Sequence, residues 1–92
     1  MVYLITYDLN KPGQDYSKLY ETIKAMGAWW HYLDSTWLVD TSLSSGQVRD
    51  GVLKVMDQTD RVLVVRFSSD WSAFLTNDAA DWIRQRQGVS VE

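Results

Sequence analysis

Apolar and polar positions change period several times along this chain, and each change marks an element. Val2-Tyr3-Leu4-Ile5-Thr6-Tyr7 is an apolar run closed by Asp8-Leu9-Asn10, which predicts strand one over about Val2 to Leu9. Lys11-Pro12-Gly13-Gln14 reads as a loop, with Pro-Gly as its turn signal. Asp15 can cap the helix that follows. There Tyr16, Leu19, Tyr20, Ile23 and Met26 recur at i, i+3, i+4, i+7 and i+10, a single apolar stripe. Gly27 ends that helix as a C-cap.

Two aromatic strands come next, about Ala28 to Leu33 and Thr36 to Asp40. Their short join at Asp34-Ser35 makes them an antiparallel hairpin. Alternation places Trp29 and His31 on one face and Trp30 and Tyr32 on the other. Ser44-Ser45-Gly46-Gln47 has the form of a capping box and opens a second helix with the face Val48, Val52, Val55 and Met56. Gly51 inside it costs about 1 kcal/mol against alanine and points to close packing or a frayed helix. Asp57-Gln58-Thr59-Asp60 is a turn, and Arg61 to Phe67 is the most strand-like run of all. Beyond Ser68-Ser69-Asp70 the tail reads as helical through Trp71, Phe74 and Leu75. Asn77 then caps Ala79 to Arg84, and Gly88 ends the helix.

The order is βαββαβ plus one helix. It predicts an α+β fold, a ferredoxin-like sandwich with an added C-terminal helix, from two right-handed βαβ crossovers. Residues 1–92 form one domain, with a core over about 1–67 and a helical tail over about 71–88. Two helices cover one sheet face. The other must be met by the tail, by a second subunit or by water. Strands this aromatic make water the poorest of these, and a homodimer is expected.

Composition narrows the classes. Of 92 residues, 46% are apolar and 23% charged, the balance of a globular chain. Five tryptophans and five tyrosines supply core area and suit a subunit interface. The absence of cysteine excludes a disulfide scaffold and any cysteine-ligated zinc site, and it fits a reducing compartment. No apolar stretch approaches the roughly 20 residues that span a bilayer, so no membrane role is expected. The first residues enter a strand with no basic region before it, which predicts no signal peptide and a cytoplasmic location. A net charge of −3 counts against a dedicated nucleic-acid binder, since phosphate neutralisation normally supplies most of the affinity. A local patch or a metal can still provide a positive field.

Four features then come together: a first strand closing in Tyr7-Asp8, a helix followed by Gly27, the hairpin Asp34-Ser35-Thr36-Trp37-Leu38-Val39, and a fourth strand opening Asp60-Arg61-Val62-Leu63-Val64. In this order they resemble the small CRISPR-associated endonuclease of the spacer-acquisition complex. They also resemble its relatives, the virulence-associated protein D ribonucleases and stand-alone SinR-like proteins. The likeness spans about Met1 to Phe67. It implies ferredoxin-like homodimers in which the strand-one aspartate of each subunit approaches the two-fold axis and the pair holds a divalent metal, Mg2+ or Mn2+. That position matches Asp8, and the family's hairpin serine before an aromatic matches Ser35. The tail departs from the family, which commonly adds a fifth strand to the partner's sheet. Family members that bind DNA also carry more basic residues.

Each candidate has a plainer use. Asp8 serves phosphodiester hydrolysis as half of a metal site, or it bonds the loop around Asn10 and Gly13. Ser35 orients a phosphate or a water, or completes a tight turn. His31, the sole histidine, is a general base or an ordinary hydrogen-bonded strand residue. Trp29, Trp30, Tyr32 and Trp37 stack bases or fill core and dimer interface. Arg66 lies within the fourth strand, and a charge in a central strand calls for a partner; Asp8 on a neighbouring strand is one. The expected activity is metal-dependent endonuclease action on nucleic acid by a homodimer. The rival is a non-catalytic dimer that binds another protein in defence, counter-defence or toxin regulation.

Overall fold

The computed structural model describes residues 1–10, 13, 15–68 and 70–86, with Tyr32 by its backbone alone. Among them the elements are β1 (Val2–Asp8), α1 (Ser17–Lys24), β2 (Ala28–Leu33), β3 (Thr36–Asp40), α2 (Ser45–Leu53), β4 (Arg61–Arg66) and α3 (Asn77–Arg86). The strands form a four-stranded antiparallel sheet in the order β2-β3-β1-β4. The molecule is a small α+β fold with three helices on this sheet. Every strand and both early helices stand where the apolar pattern puts them, because side-chain period decides which face each residue can bury.

The sheet separates two apolar layers. On its front face Tyr3, Ile5 and Tyr7 of β1 and Trp37 and Val39 of β3 pack with Leu19 and Ile23 of α1 and Val48 and Val52 of α2. On its back face Val2, Trp30 and Leu38 pack with Ala79 and Ile83 of α3, flanked by Leu4, Phe67, Trp71, Leu75 and Trp82. Each such fully buried aliphatic side chain contributes roughly 1.5–3 kcal/mol. The tail thus covers part of the back face and leaves the rest open. Leu63 is 58% exposed, Val65 45% and Leu33 43%.

Local chemistry differs from the sequence expectation at several places. Ser44 and Gln47 do form a reciprocal capping box at α2. At α1 the N-cap is Tyr16, without a side-chain bond, and Asp15 acts from one position earlier by accepting the Ser17 N–H at 2.9 Å. That bond holds the Asp15 carboxyl below its ordinary pKa. Gly27 is not the C-cap. The helix ends at Ala25 in right-handed geometry, and a Cβ at position 27 would collide with the Asp40 carbonyl oxygen. Glycine is needed there because β2 starts hard against the end of β3. Gly51 packs closely, since a Cβ on it would lie 2.9 Å from Met26 Cε.

Three further expectations are corrected. Residues 70–76 are not helical; Trp71, Phe74 and Leu75 precede α3 in irregular backbone. The α3 cap is Thr76, whose hydroxyl accepts the Ala79 N–H at 3.4 Å, while Asn77 is already helical. β4 is an edge strand, so Arg66 is exposed and needs no partner. Of the first loop only Gly13 is described, with φ 78°; Lys11, Pro12, Gln14 and the helix end at Gly88 lie outside the described residues.

The β2–β3 ladder also slips by one residue. Trp30 faces Leu38, yet Leu33 faces Thr36, which requires a bulge between Trp30 and Leu33. Strict alternation would put Leu33 on the front with Trp29. The bulge sets it opposite Thr36, and Leu33 lines a back-face groove with Leu4, Trp30 and Leu38.

Candidate functional site

Asp8 shares its parity with Val2 and Leu4, so it belongs to the back face, at the end that α3 does not cover. The ladder brings Thr6 opposite both Thr36 and Leu63, and Asp8 opposite Arg61. The Thr6 and Thr36 hydroxyls meet at 3.2 Å. Asp8, Arg61, Thr6 and Leu63 line a shallow depression of about 270 Å³ together with Tyr7 and Val62.

The Asp8 carboxylate is exposed, and among the described residues it accepts no hydrogen bond and joins no ion pair. The expected pairing with Arg66 is not made, because Arg66 stands opposite Tyr3 at the far end of β1. Arg61 is the cation beside Asp8, but its Nη1 donates to the carbonyls of Gln58 at 3.3 Å and Asp60 at 2.9 Å. The alternative use of Asp8, bonding the Asn10 loop, falls to its backbone: Asn10 Nδ2 donates to the Asp8 carbonyl at 3.4 Å. The carboxylate itself is left for solvent or a ligand.

Ser35 lies in the β2–β3 turn, and its carbonyl accepts the Tyr7 N–H at 3.0 Å. The turn therefore sits at the same end of the sheet as Asp8, one strand away. No group of three or more histidine, aspartate or glutamate side chains placed to hold a metal ion occurs among the described residues. One chain offers one free carboxylate at this place, so a divalent metal fits only when a second Asp8 is brought to it.

His31 is on the front face and apart from Asp8. Its ring stacks on Trp37 with centroids 3.7 Å apart and planes within 11°, and Nε2 lies 2.8 Å from the Asp34 carbonyl oxygen. Tyr20, Lys24 and Trp29 complete a cavity of about 250 Å³ around this stack. Trp30 and Trp37 are buried, while Trp29 is 42% exposed. The aromatics therefore divide between faces, and no single stacking platform collects them.

The residue that sequence reading passed over is Asp60. It is buried, and its carboxylate accepts from Asn10 N–H at 2.7 Å, Tyr16 Oη–H at 2.9 Å and Asp57 N–H at 2.8 Å. Burial alone would raise its pKa, but these three donors outweigh it and hold the carboxyl below the ordinary value. Asp60 ties the chain after β1, the start of α1 and the turn before β4 into one node. That node fixes where β1 ends, hence where Asp8 stands. The available signal was an acid directly before a β-branched strand, four residues into a turn that needed only one.

Among the described residues no helix is long and apolar enough to cross a membrane. Comparison of the chain with protein-family models, with curated proteins and with solved structures finds no match.

Proposed function

We propose that this chain is a ferredoxin-like homodimer acting as a metal-dependent phosphodiesterase on nucleic acid, with Asp8 of each subunit as half of the metal site. The βαββαβ order and the antiparallel arrangement β2-β3-β1-β4, with α1 and α2 on one face, support the ferredoxin-like reading, α3 being the addition. The observation that carries the function is the place of Asp8. It is an unengaged carboxylate on the uncovered part of a sheet face whose neighbours, Leu63 and Val65, are exposed apolar residues. A second copy docking there buries those side chains and brings the two carboxylates toward each other. A bound Mg2+ or Mn2+ supplies an activated water and neutralises charge on the phosphate. Ser35, at the same end of the sheet, orients the phosphate, and Arg61 adds a cation on the Asp8 face. A cysteine-free chain suits the cytoplasm.

The test compares wild type with Asp8→Ala on single- and double-stranded DNA and RNA, with magnesium or manganese and with chelator. Cleavage abolished by the substitution and by chelation supports the reading; cleavage indifferent to both overturns it. Sedimentation showing a monomer at micromolar concentration also overturns it, since a lone Asp8 has no second carboxylate.

A second reading, a non-catalytic dimer that binds another protein, is favoured by one observation. Phe74 is fully exposed beside the back-face groove, in an acidic chain of net charge −3. Absence of any cleavage together with a stable dimer selects it.

A further inference from the structure

Away from Asp8, where β2 begins and α3 starts, the molecule holds a cavity of about 680 Å³, lined by Trp29, Trp30, Leu75, Thr76, Asp78 and Trp82. The volume is that of a small-molecule site. Three tryptophans from two elements and one aspartate line it, and no lysine or arginine does; Trp29 projects to the front face of edge strand β2, so the indoles on the α3 side are those of Trp30 and Trp82. Asp78 is exposed, and among the described residues its carboxylate has no ion-pair or hydrogen-bond partner. An anion would meet a carboxylate and no cation. A neutral apolar ligand would leave that carboxylate without use.

Trp82 already attracts a cation. The Arg86 guanidinium lies 4.4 Å from the centre of its indole. Every indole has two faces, and the negative quadrupole of each draws positive charge. A bare ammonium is strongly hydrated and loses much on entering an apolar site. Methyl groups on nitrogen spread the charge and reduce that loss, which is why cages of aromatic rings select methylated ammonium.

We propose that this cavity is a binding site for a small quaternary ammonium cation, with Trp30 and Trp82 as its aromatic walls and Asp78 as the counter-ion. The site is independent of the Asp8 chemistry. Trp29 and Trp30 face Val39 and Leu38, in the half of the sheet away from the hairpin turn and Asp8.

Calorimetric titration with choline and tetramethylammonium tests it, beside 3,3-dimethyl-1-butanol, the neutral isostere of choline. Saturable binding of both cations is expected, with the isostere about tenfold weaker or more. Asp78→Asn, an exposed change that leaves the fold intact, should weaken the cations severalfold and leave the isostere unchanged. Trp82→Leu should abolish cation binding. Equal binding of choline and its isostere overturns the proposal, because the cavity is then only an apolar slot. No saturable binding of either cation also overturns it. Phosphatidylcholine vesicles form a separate arm: retention on vesicles without binding of free choline assigns the site to a lipid surface and rejects a free ligand.

Discussion

Asp8 and Arg61 stand opposite each other across the β1–β4 ladder without forming an ion pair; the guanidinium turns instead to the carbonyls of Gln58 and Asp60. A cross-strand charge pair of this kind contributes at most about 1 kcal/mol when solvated. Asp8→Ala should therefore change unfolding free energy by less than about 1 kcal/mol, read from urea denaturation. A cost above about 2 kcal/mol would make Asp8 a structural acid and undercut its role as a metal ligand.

Asp60 should behave in the opposite way. Asp60→Ala leaves three donors without their acceptor and is expected to cost about 2–4 kcal/mol. The folded-state pKa of Asp60 lies below its ordinary value of 3.8. Its contribution is therefore present above the unfolded pKa and is lost as pH falls through the folded one. Wild type should lose stability steadily below about pH 4, and Asp60→Asn should flatten that acid limb. Denaturation midpoints at a series of pH values decide it; parallel limbs would show that other carboxylates carry the acid sensitivity.

Trp37 Nε1 donates to Tyr7 Oη at 2.9 Å within the core. Tyr7→Phe removes the acceptor and should cost about 1–3 kcal/mol. Burial also raises the Tyr7 pKa, although the Trp37 bond opposes the shift. A double-mutant cycle with Trp37→Phe should return a coupling near 1 kcal/mol. Additive losses would mean the bond adds little beyond shape.

The two glycines that a Cβ would crowd should respond with opposite sign. At Gly51 the obstacle is the tip of Met26, a flexible side chain, so Gly51→Ala is expected to gain up to about 1 kcal/mol of helix propensity. At Gly27 the obstacle is the Asp40 backbone carbonyl, which cannot move without opening the β2–β3 ladder. Gly27→Ala should lose about 2–3 kcal/mol by thermal or urea melts.

Leu63 and Val65 are exposed on an edge strand of the uncovered back face. Leu63→Lys should drive the proposed dimer to monomer in sedimentation, while monomer stability stays within about 0.5 kcal/mol. An unchanged sedimentation profile would move the dimer contact elsewhere.

The elements were legible because apolar periodicity is a local signal, and the capping box at Ser44 and Gln47 is written in four consecutive residues. What escaped the sequence depends on distant partners. Gly27 reads as a C-cap until β3 is seen to arrive beside it. Asp60 reads as one more turn acid until Asn10 and Tyr16, from the segment after β1, converge on it. Arg66 seemed to need a counter-charge only while its strand was taken as central. The position of Asp8 was legible; that its carboxylate stays unengaged was not, since this depends on where Arg61 turns. The split of the tryptophans followed from alternation, but the cavity between Trp30 and Trp82 requires α3 to fold back onto β2.

The extra residue in β2 makes the chemistry of the back face depend on strand pairing as well as on residue identity. Absorbing that residue into the ladder at constant length would turn Leu33 to the front. The groove would then lose a wall without any side chain there being replaced. Deleting the unpaired residue would instead straighten β2 and keep Leu33 opposite Thr36, so this face tolerates a one-codon deletion at a point where a register slip would destroy it.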